Sequence, residues 1–332
     1  MAALRDIAQE VGVSISLVSK TLNGRLGTTG VSAETLASIR RVAARLGYRK
    51  NASATALLAG RHNILGVYLH CQGMAGSGLL EELLGGISSS AHQFHQRLQL
   101  NFFSTSAEFQ SLYEGAHKGA MDGLVVGGIV HPDTLGLLRA IRGSGLPVVT
   151  IYDEPVHPSL SNVGIDQACV ARLATEHLIA RGARRIGHVF NIEKRFAGYR
   201  QALAAAGIPL DEARVFDASR MDFSHETGEK AVQSFLDRGV AFDGIVAQSD
   251  QEATGCINLL FRRGFRVPDD VRVIGIDNAP YCDFARVPLS SVSQNYRLRG
   301  AEAMRLMMAQ IAGRKVRSMT VKPILVARES SR

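Results

Sequence analysis

Residues 4–23 constrain this chain more than any other stretch, because they read as two short helices joined by a tight turn. Leu4, Ile7, Ala8 and Val11 fall at i, i+3, i+4 and i+7, the apolar stripe of a short amphipathic helix, and Gly12 ends it by admitting a positive φ. Ala8 is small where a second helix can cross closely. Ser14 is placed to accept from the free N–H groups of the next helix, whose Val18 and Leu22 face inward. That leaves Ile15, Ser16, Ser19, Lys20 and Asn23 on the outer face. An exposed helix of short polar residues and one cation, braced by a partner across a turn, fits a DNA major groove. Lys20 suits guanine O6/N7, Ser16 is ambivalent, and Ile15 suits a thymine methyl group. A helical hairpin at the end of an enzyme has the same spacing, so the charge around it matters.

A third helix follows. Ser32 is its N-cap, Leu36, Ile39, Ala43 and Leu46 form one face, Arg40, Arg41 and Arg45 lie on others, and Gly47 closes it. Residues 1–61 hold nine Lys/Arg and three acids, a net +6 out of +8 for the whole chain. Evenly spread basicity indicates only a solvated surface. Concentration in the first fifth of the chain is the footprint of phosphate contacts.

The run from Asp6-Ile-Ala through Gly12-Val-Ser, Val18-Ser-Lys, Leu22-Asn-Gly, Val31-Ser-Ala-Glu-Thr, Leu46-Gly-Tyr and Asn51-Ala resembles the DNA-binding head of the lac repressor family (LacI/GalR). The resemblance implies that the second helix reads the major groove, with Ser14, Ile15, Ser16, Ser19, Lys20 and Asn23 at the DNA. It further implies a hinge helix over 51–62, with Asn51 and Ala54 at the DNA and Leu57 at the position that enters the minor groove when two subunits meet. An apolar wedge there unstacks a base step and bends the duplex; packing of Leu57 against the next domain is the alternative. Three features depart from the family pattern: the loop 25–30 is longer, Lys50 stands where Pro is usual, and Lys is less common than Arg at position 20.

At 332 residues the chain is long for one core and calls for a small module plus a large one. From residue 64 onward short apolar runs alternate with helical segments. Strands are expected at 64–69, 98–103, 123–126 and 148–152, with helices at 79–96, 109–118 and 134–142 between them. A second set has strands at 185–190, 214–216, 245–247 and 271–276, with helices at 169–181, 196–206, 226–238 and 253–263. This alternation predicts two parallel sheets in tandem, each covered by helices on both faces, with a ligand cleft at the carboxyl ends of their strands.

Motifs along this region (Asp122-Gly-Leu-Val-Val, Val163-Gly-Ile-Asp, Ala174-Thr-Glu-His-Leu, Ala197-Gly-Tyr-Arg, Gly275-Ile-Asp, Pro288-Leu-Ser-Ser-Val) are similar to the same family's effector core, itself similar to periplasmic sugar-binding proteins. The fold class is therefore an N-terminal all-α helix-turn-helix head plus an α/β periplasmic-binding-protein-like core of two doubly wound parallel-sheet lobes. The expected domains are the head at 1–50, the hinge at 51–62 and the core at 63–332. Lobe one takes about 63–162 and 294–322, and lobe two about 163–293 and 323–330. The resemblance places effector contacts at His70, Gly127, Asp153, Arg195, Phe223, Ser249 and Asp277. Carboxylates with an Arg suit polyols, because ionised groups hydrogen-bond hydroxyls strongly and directionally, and an aromatic face suits the C–H side of a sugar ring. Departures cluster in lobe one, where residues 70–78 are longer and glycine-rich, Gly127 replaces a residue often polar, and, in lobe two, Ser249 replaces a common Asn.

No catalytic constellation emerges. The ten His include no His-Glu-x-x-His, and Gly-x-Ser-x-Gly, Gly-Lys-Ser/Thr and Gly-x-Gly-x-x-Gly patterns are absent. The four cysteines, Cys71, Cys169, Cys256 and Cys282, lack ligand spacing and read as free thiols, so neither metal nor cofactor is expected. With no membrane-length apolar run and no secretory h-region, a cytoplasmic protein is expected. Residues 298–312 read as a helix whose Met304, Met307, Met308 and Ile311 serve the core, and no leucine heptad follows, which predicts a homodimer. The expected function is a transcriptional regulator, more often a repressor, that binds a near-palindromic double-stranded operator under control of a small, carbohydrate-like effector. A periplasmic transport component and an α/β enzyme are the alternatives, disfavoured by the basic head and the missing motifs.

Overall fold

The computed structural model describes residues 2–24, 26, 30–48, 61–71, 78–115, 121–128 and 130–332. The chain divides into two compact units, Met1–His62 and Asn63–Arg332.

In the first unit, helices α1 (Leu4–Val11), α2 (Ile15–Asn23) and α3 (Ala33–Arg45) surround a small core of Ile7, Ala8, Val18, Ile39 and Ala43. Gly12 takes φ 71 and Gly47 φ 62, the conformations that end α1 and α3. Ser14 Oγ accepts from Leu17 N and Ser32 Oγ from Thr35 N, satisfying donors that each helix start leaves free. Leu22, expected inward, is only half-buried; Thr21 beside it is 4% exposed.

The second unit contains two six-stranded sheets. The first runs β11 (Met319–Val321), β5 (Ser161–Ile165), β4 (Val148–Ile151), β3 (Gly123–Gly127), β1 (Ile64–His70), β2 (Arg97–Phe103). The second runs β12 (Ile324–Val326), β10 (Ser290–Ser293), β9 (Arg272–Asp277), β8 (Gly244–Val246), β6 (Ile186–Phe190), β7 (Val215–Asp217). Their pairings are parallel except β10 with β12. Helices α4 (Leu79–Gln93), α5 (Ser106–Gly115), α6 (Pro132–Gly143) and α11 (Tyr296–Ile311) belong to lobe one. Lobe two has α7 (Gln167–Ala180), α8 (Glu193–Ala205), α9 (His225–Asp237) and α10 (Asp250–Arg262). Met304 and Met307 are fully buried in the lobe-one core.

The chain passes between the sheets three times. β5 pairs with β11 through Ile165↔Val321, so the first crossing follows Ile165 and not residue 162. The others lie after Ser293 and between β11 and β12. β5 and β10 escaped the sequence reading because Ser-Asn-Val-Gly-Ile and Ser-Ser-Val-Ser lack the β-branched and aromatic density of a strand. Their polar groups are satisfied internally. The Asn162 side chain accepts from Tyr152 N and Thr150 Oγ1 and donates to Tyr152 O, which stands in for ladder bonds between β4 and β5.

Candidate effector cleft and nucleic-acid interface

On α2, Ile15, Ser16 and Lys20 are exposed on one side, with Ser19 and Asn23 half-buried beside them. Ile15 is 49% exposed, an apolar side chain that the head's own packing leaves in water. Ser14 is engaged as the cap, and Asn23 Nδ2 donates to Ser19 Oγ at 3.3 Å, so these two stiffen the face. Arg40 and Arg41 are exposed on α3, and Arg45 is ion-paired with Glu10. Asn51, Ala54 and Leu57 lie outside the described residues.

In the core, the carboxyl ends of both sheets gather the polar residues. Asp153, just beyond β4, lines a cavity of about 480 Å³ together with Gly128, Tyr152, Glu154, Gln167 and Lys194. Glu154 of lobe one and Lys194 of lobe two form an ion pair across this cavity. On another side Asp277 and Tyr296 line a cavity of about 280 Å³. There the lobes touch closely, since a Cβ on Gly78 would stand 2.6 Å from Pro280 Cδ. A larger cavity, about 630 Å³ among Phe109, Tyr113, Leu137 and Ile141, lies near Met121 and Pro147, which precede β3 and β4. That is the opposite end of the sheet from where α/β folds bind ligands.

Arg195, 4% exposed, is fixed entirely by neutral acceptors. Its Nε donates to Gln167 Oε1 at 2.7 Å, and its Nη1 donates to the Gln248 backbone oxygen. Gln248 is itself held: its Nε2 donates to His188 Nε2 at 3.1 Å and its N donates to Glu252 Oε2 at 2.9 Å. His188 is stacked on Tyr199, and burial pushes its imidazole down to about 3, leaving a neutral ring that accepts from the amide. Burial pushes the Glu252 carboxyl up to about 8, so it holds a proton at neutral pH. Asp277 is raised as well, first by burial and then by the neighbouring charge of Asp250.

Asp277 and Asn278 have φ of 119 and 58, successive residues in the region that favours glycine. Strain of this kind, roughly 1–3 kcal/mol per residue, persists where surrounding bonds over-determine the backbone and clusters at ligand clamps. Here Gln294 Nε2 donates to Asp277 Oδ1 at 2.6 Å, and Asn278 N donates to Ser291 Oγ at 2.9 Å.

The remaining expected contacts are placed differently. His70 is buried at the end of β1, its Nε2 3.1 Å from Ser104 O and 3.0 Å from His131 Nε2. Gly127 is buried within the sheet, where a Cβ would face Leu69 and Ile151; its neighbour Gly128 reaches the cavity instead. Ser249 Oγ caps α10 by accepting from Glu252 N, and Phe223 is half-buried ahead of α9. The sequence reading missed Gln167, Gln248, Gln294 and Arg299. Arg299 is 1% exposed, lies 4.8 Å from the Tyr296 ring centre and 3.8 Å from Asp153, and donates to Tyr152 O. Each stands at a strand's carboxyl end or one turn beyond a crossing, and that position was the available signal.

A basic three-helix head ahead of a two-lobed core with a polar cleft defines a ligand-responsive DNA-binding protein. Residues 3–51 match the family described as "Bacterial regulatory proteins, lacI family", and residues 175–331 match a periplasmic binding protein-like domain. The chain is 28% identical to the HTH-type transcriptional regulator DegA of Bacillus subtilis over 98% of this chain and 97% of that one. It is also 28% identical to the HTH-type transcriptional regulator CelR of Thermobifida fusca, over 98% and 95%. Among solved structures it resembles a CelR–cellobiose complex (TM-score 0.72, 27% identity, 99% and 100% covered). The lac repressor dimer bound to operator and the anti-inducer ONPF shares the fold (TM-score 0.84, 22% identity, 99% of both chains). Its head is thus a lacI-family DNA-binding domain, followed in the chain by a periplasmic binding protein-like domain.

Proposed function

We propose that this transcriptional regulator has its operator affinity set by a polyhydroxylated small molecule, a sugar or sugar derivative, gripped between the lobes by Asp153, Arg195 and Asp277. The observation that carries the reading is the pairing of a buried guanidinium, given only neutral partners, with a half-buried carboxyl on strained backbone, both at the carboxyl end of the second sheet. Together they offer donors and an acceptor to hydroxyls. His70 and Phe223 bound the site, Gly127 acts only through its neighbour Gly128, and Ser249 contributes through the helix it caps. The CelR structure solved with cellobiose supports a carbohydrate class.

In the head, Ile15, Ser16 and Lys20 read base edges, supported by Ser14, Ser19 and Asn23, and Asn51, Ala54 and Leu57 serve the hinge. Two heads of a homodimer read half-sites of a near-palindromic operator, since twofold protein symmetry imposes twofold symmetry on the site. Apolar residues left exposed suit self-association: Leu100 (46%) and Phe102 (45%) on the edge strand β2, and Phe284 (77%) in lobe two. A sedimentation mass of twice the chain mass is expected. The protein acts in the bacterial cytoplasm; among the described residues no helix is long and apolar enough to cross a membrane. No catalytic role is assigned to any residue.

The test is a thermal-shift screen of sugars, sugar phosphates and nucleobases, because a ligand that binds only the folded state raises the melting temperature. A stabilising ligand whose effect is lost in Arg195→Ala and Asp277→Ala supports the reading. One whose effect survives both substitutions places its site elsewhere.

A further inference from the structure

Between Arg195 and Asp277 runs an unbroken line of hydrogen bonds, buried except at its Asp277 end. Arg195 Nε donates to Gln167 Oε1 at 2.7 Å, Gln167 Nε2 donates to Gln294 Oε1 at 3.0 Å, and Gln294 Nε2 donates to Asp277 Oδ1 at 2.6 Å. Gln167 and Gln294 are 4% and 2% exposed. The ends fix the direction of both amides. A guanidinium only donates, so Gln167 must turn its oxygen toward Arg195 and its NH2 toward Gln294. Gln294 then presents its oxygen to Gln167 and its NH2 to the carboxyl.

The two glutamines also occupy special places in the chain. Gln167 stands two residues beyond β5, where the first crossing runs into α7, and Gln294 lies in the second crossing, between β10 and α11. Movement of one lobe against the other must be absorbed by dihedral changes in these crossings. A bond between side chains of two crossings resists that movement, and its ends are the residues proposed to grip the effector. An effector hydroxyl that draws Arg195 or Asp277 into new bonds competes directly with the ends of the line.

We propose that Gln167 and Gln294 are positioning residues that couple occupancy of the cleft to lobe movement, their mutual hydrogen bond acting as the restraint that the effector adjusts. This rests on the cleft being the effector site. It adds that the message leaves the site through the crossings and that two residues touching both ends carry it. The bond is buried and neutral, so it is little screened by salt, in contrast to the exposed Glu154–Lys194 ion pair.

The experiment measures lobe separation in the full chain without effector, by energy transfer between dyes attached through keto amino acids at His92 of lobe one and Lys230 of lobe two, both exposed. Gln167→Met and Gln294→Met, which keep side-chain volume, are compared with the double variant. Each single change is expected to raise the population of wider separations at least fivefold, and the double change to fall well short of the sum of the two, because each already breaks the shared Gln167–Gln294 bond besides freeing its own end of the line. Should a Met variant fail to fold, Gln167→Asn, one methylene shorter, replaces it. Unchanged separations with a lowered melting temperature would reduce the pair to a structural role and overturn the proposal, as would additive effects. No effector is used, so failure here is distinct from failure of the cleft reading, which the thermal-shift screen judges by itself.

Discussion

Lys20 and Arg41 belong to one basic head but sit on different helices, and their substitutions should separate reading from positioning. Lys20→Ala is expected to lose roughly 1–3 kcal/mol of discrimination at one base pair, whereas Arg41→Ala should weaken all duplexes about equally and reduce the salt slope by about 1. Binding isotherms on matched and mismatched duplexes at several salt concentrations check this; equal weakening of every duplex by both changes would place the reading face elsewhere. Glu252 makes a prediction in pH. Its carboxyl ionises near 4.5 in the unfolded chain and at about 8 when folded, so stability is lost as pH rises toward 8. His188 has the opposite sign, because its folded value of about 3 lies below 6.5, and it costs stability only below that. Above pH 6.5 the Glu252 slope stands clear of His188. The melting temperature should therefore fall between pH 6.5 and 8, and Glu252→Gln, which mimics the protonated carboxyl, should flatten part of that fall. Asp277, also raised, supplies the rest.

At the level of elements, the head stands on few buried side chains, so each matters. Ile7 is fully buried, and Ile7→Ala should cost about 2–5 kcal/mol, enough to unfold a unit of this size. Calorimetry should then show the core transition retained while specific duplex binding is lost. Periodicity made the helices of both units legible, but α7, α8, α9 and α10 begin one to three residues before the predicted starts. The first turns of α8, α9 and α10 are polar, and the caps Asp166, Ser224 and Ser249 mark the true beginnings of α7, α9 and α10, which apolar periodicity does not register. Strands β5 and β10 were illegible because their stability comes from buried side-chain hydrogen bonds, not from strand-forming residue types. The site divides in the same way. Asp153, Arg195 and Asp277 follow from motif and strand end, whereas the position of Gln248 after β8 and of Gln167, Gln294 and Arg299 at or just beyond crossings marks them only once the unread strands β5 and β10 are placed.

The whole molecule is two units with different chemistry: a basic head, and a core whose two sheets exchange strands so that neither lobe is a single stretch of chain. β11 joins the first sheet and β12 the second although only Lys322 and Pro323 separate them. Such interleaving ties lobe movement to a few crossing residues and gives a cleft event a way to alter the molecule beyond it. The thermodynamics of linkage then requires effector and operator to change each other's affinity by one common factor. The decisive measurement is the dissociation constant of the full chain for its operator duplex, at fixed salt, with and without a saturating ligand identified by thermal shift. A change of roughly 5–150-fold, matched by the same factor in ligand affinity with and without operator and abolished by Asp277→Ala, is the predicted result. Operator affinity unchanged at saturating ligand would contradict allosteric control through the cleft.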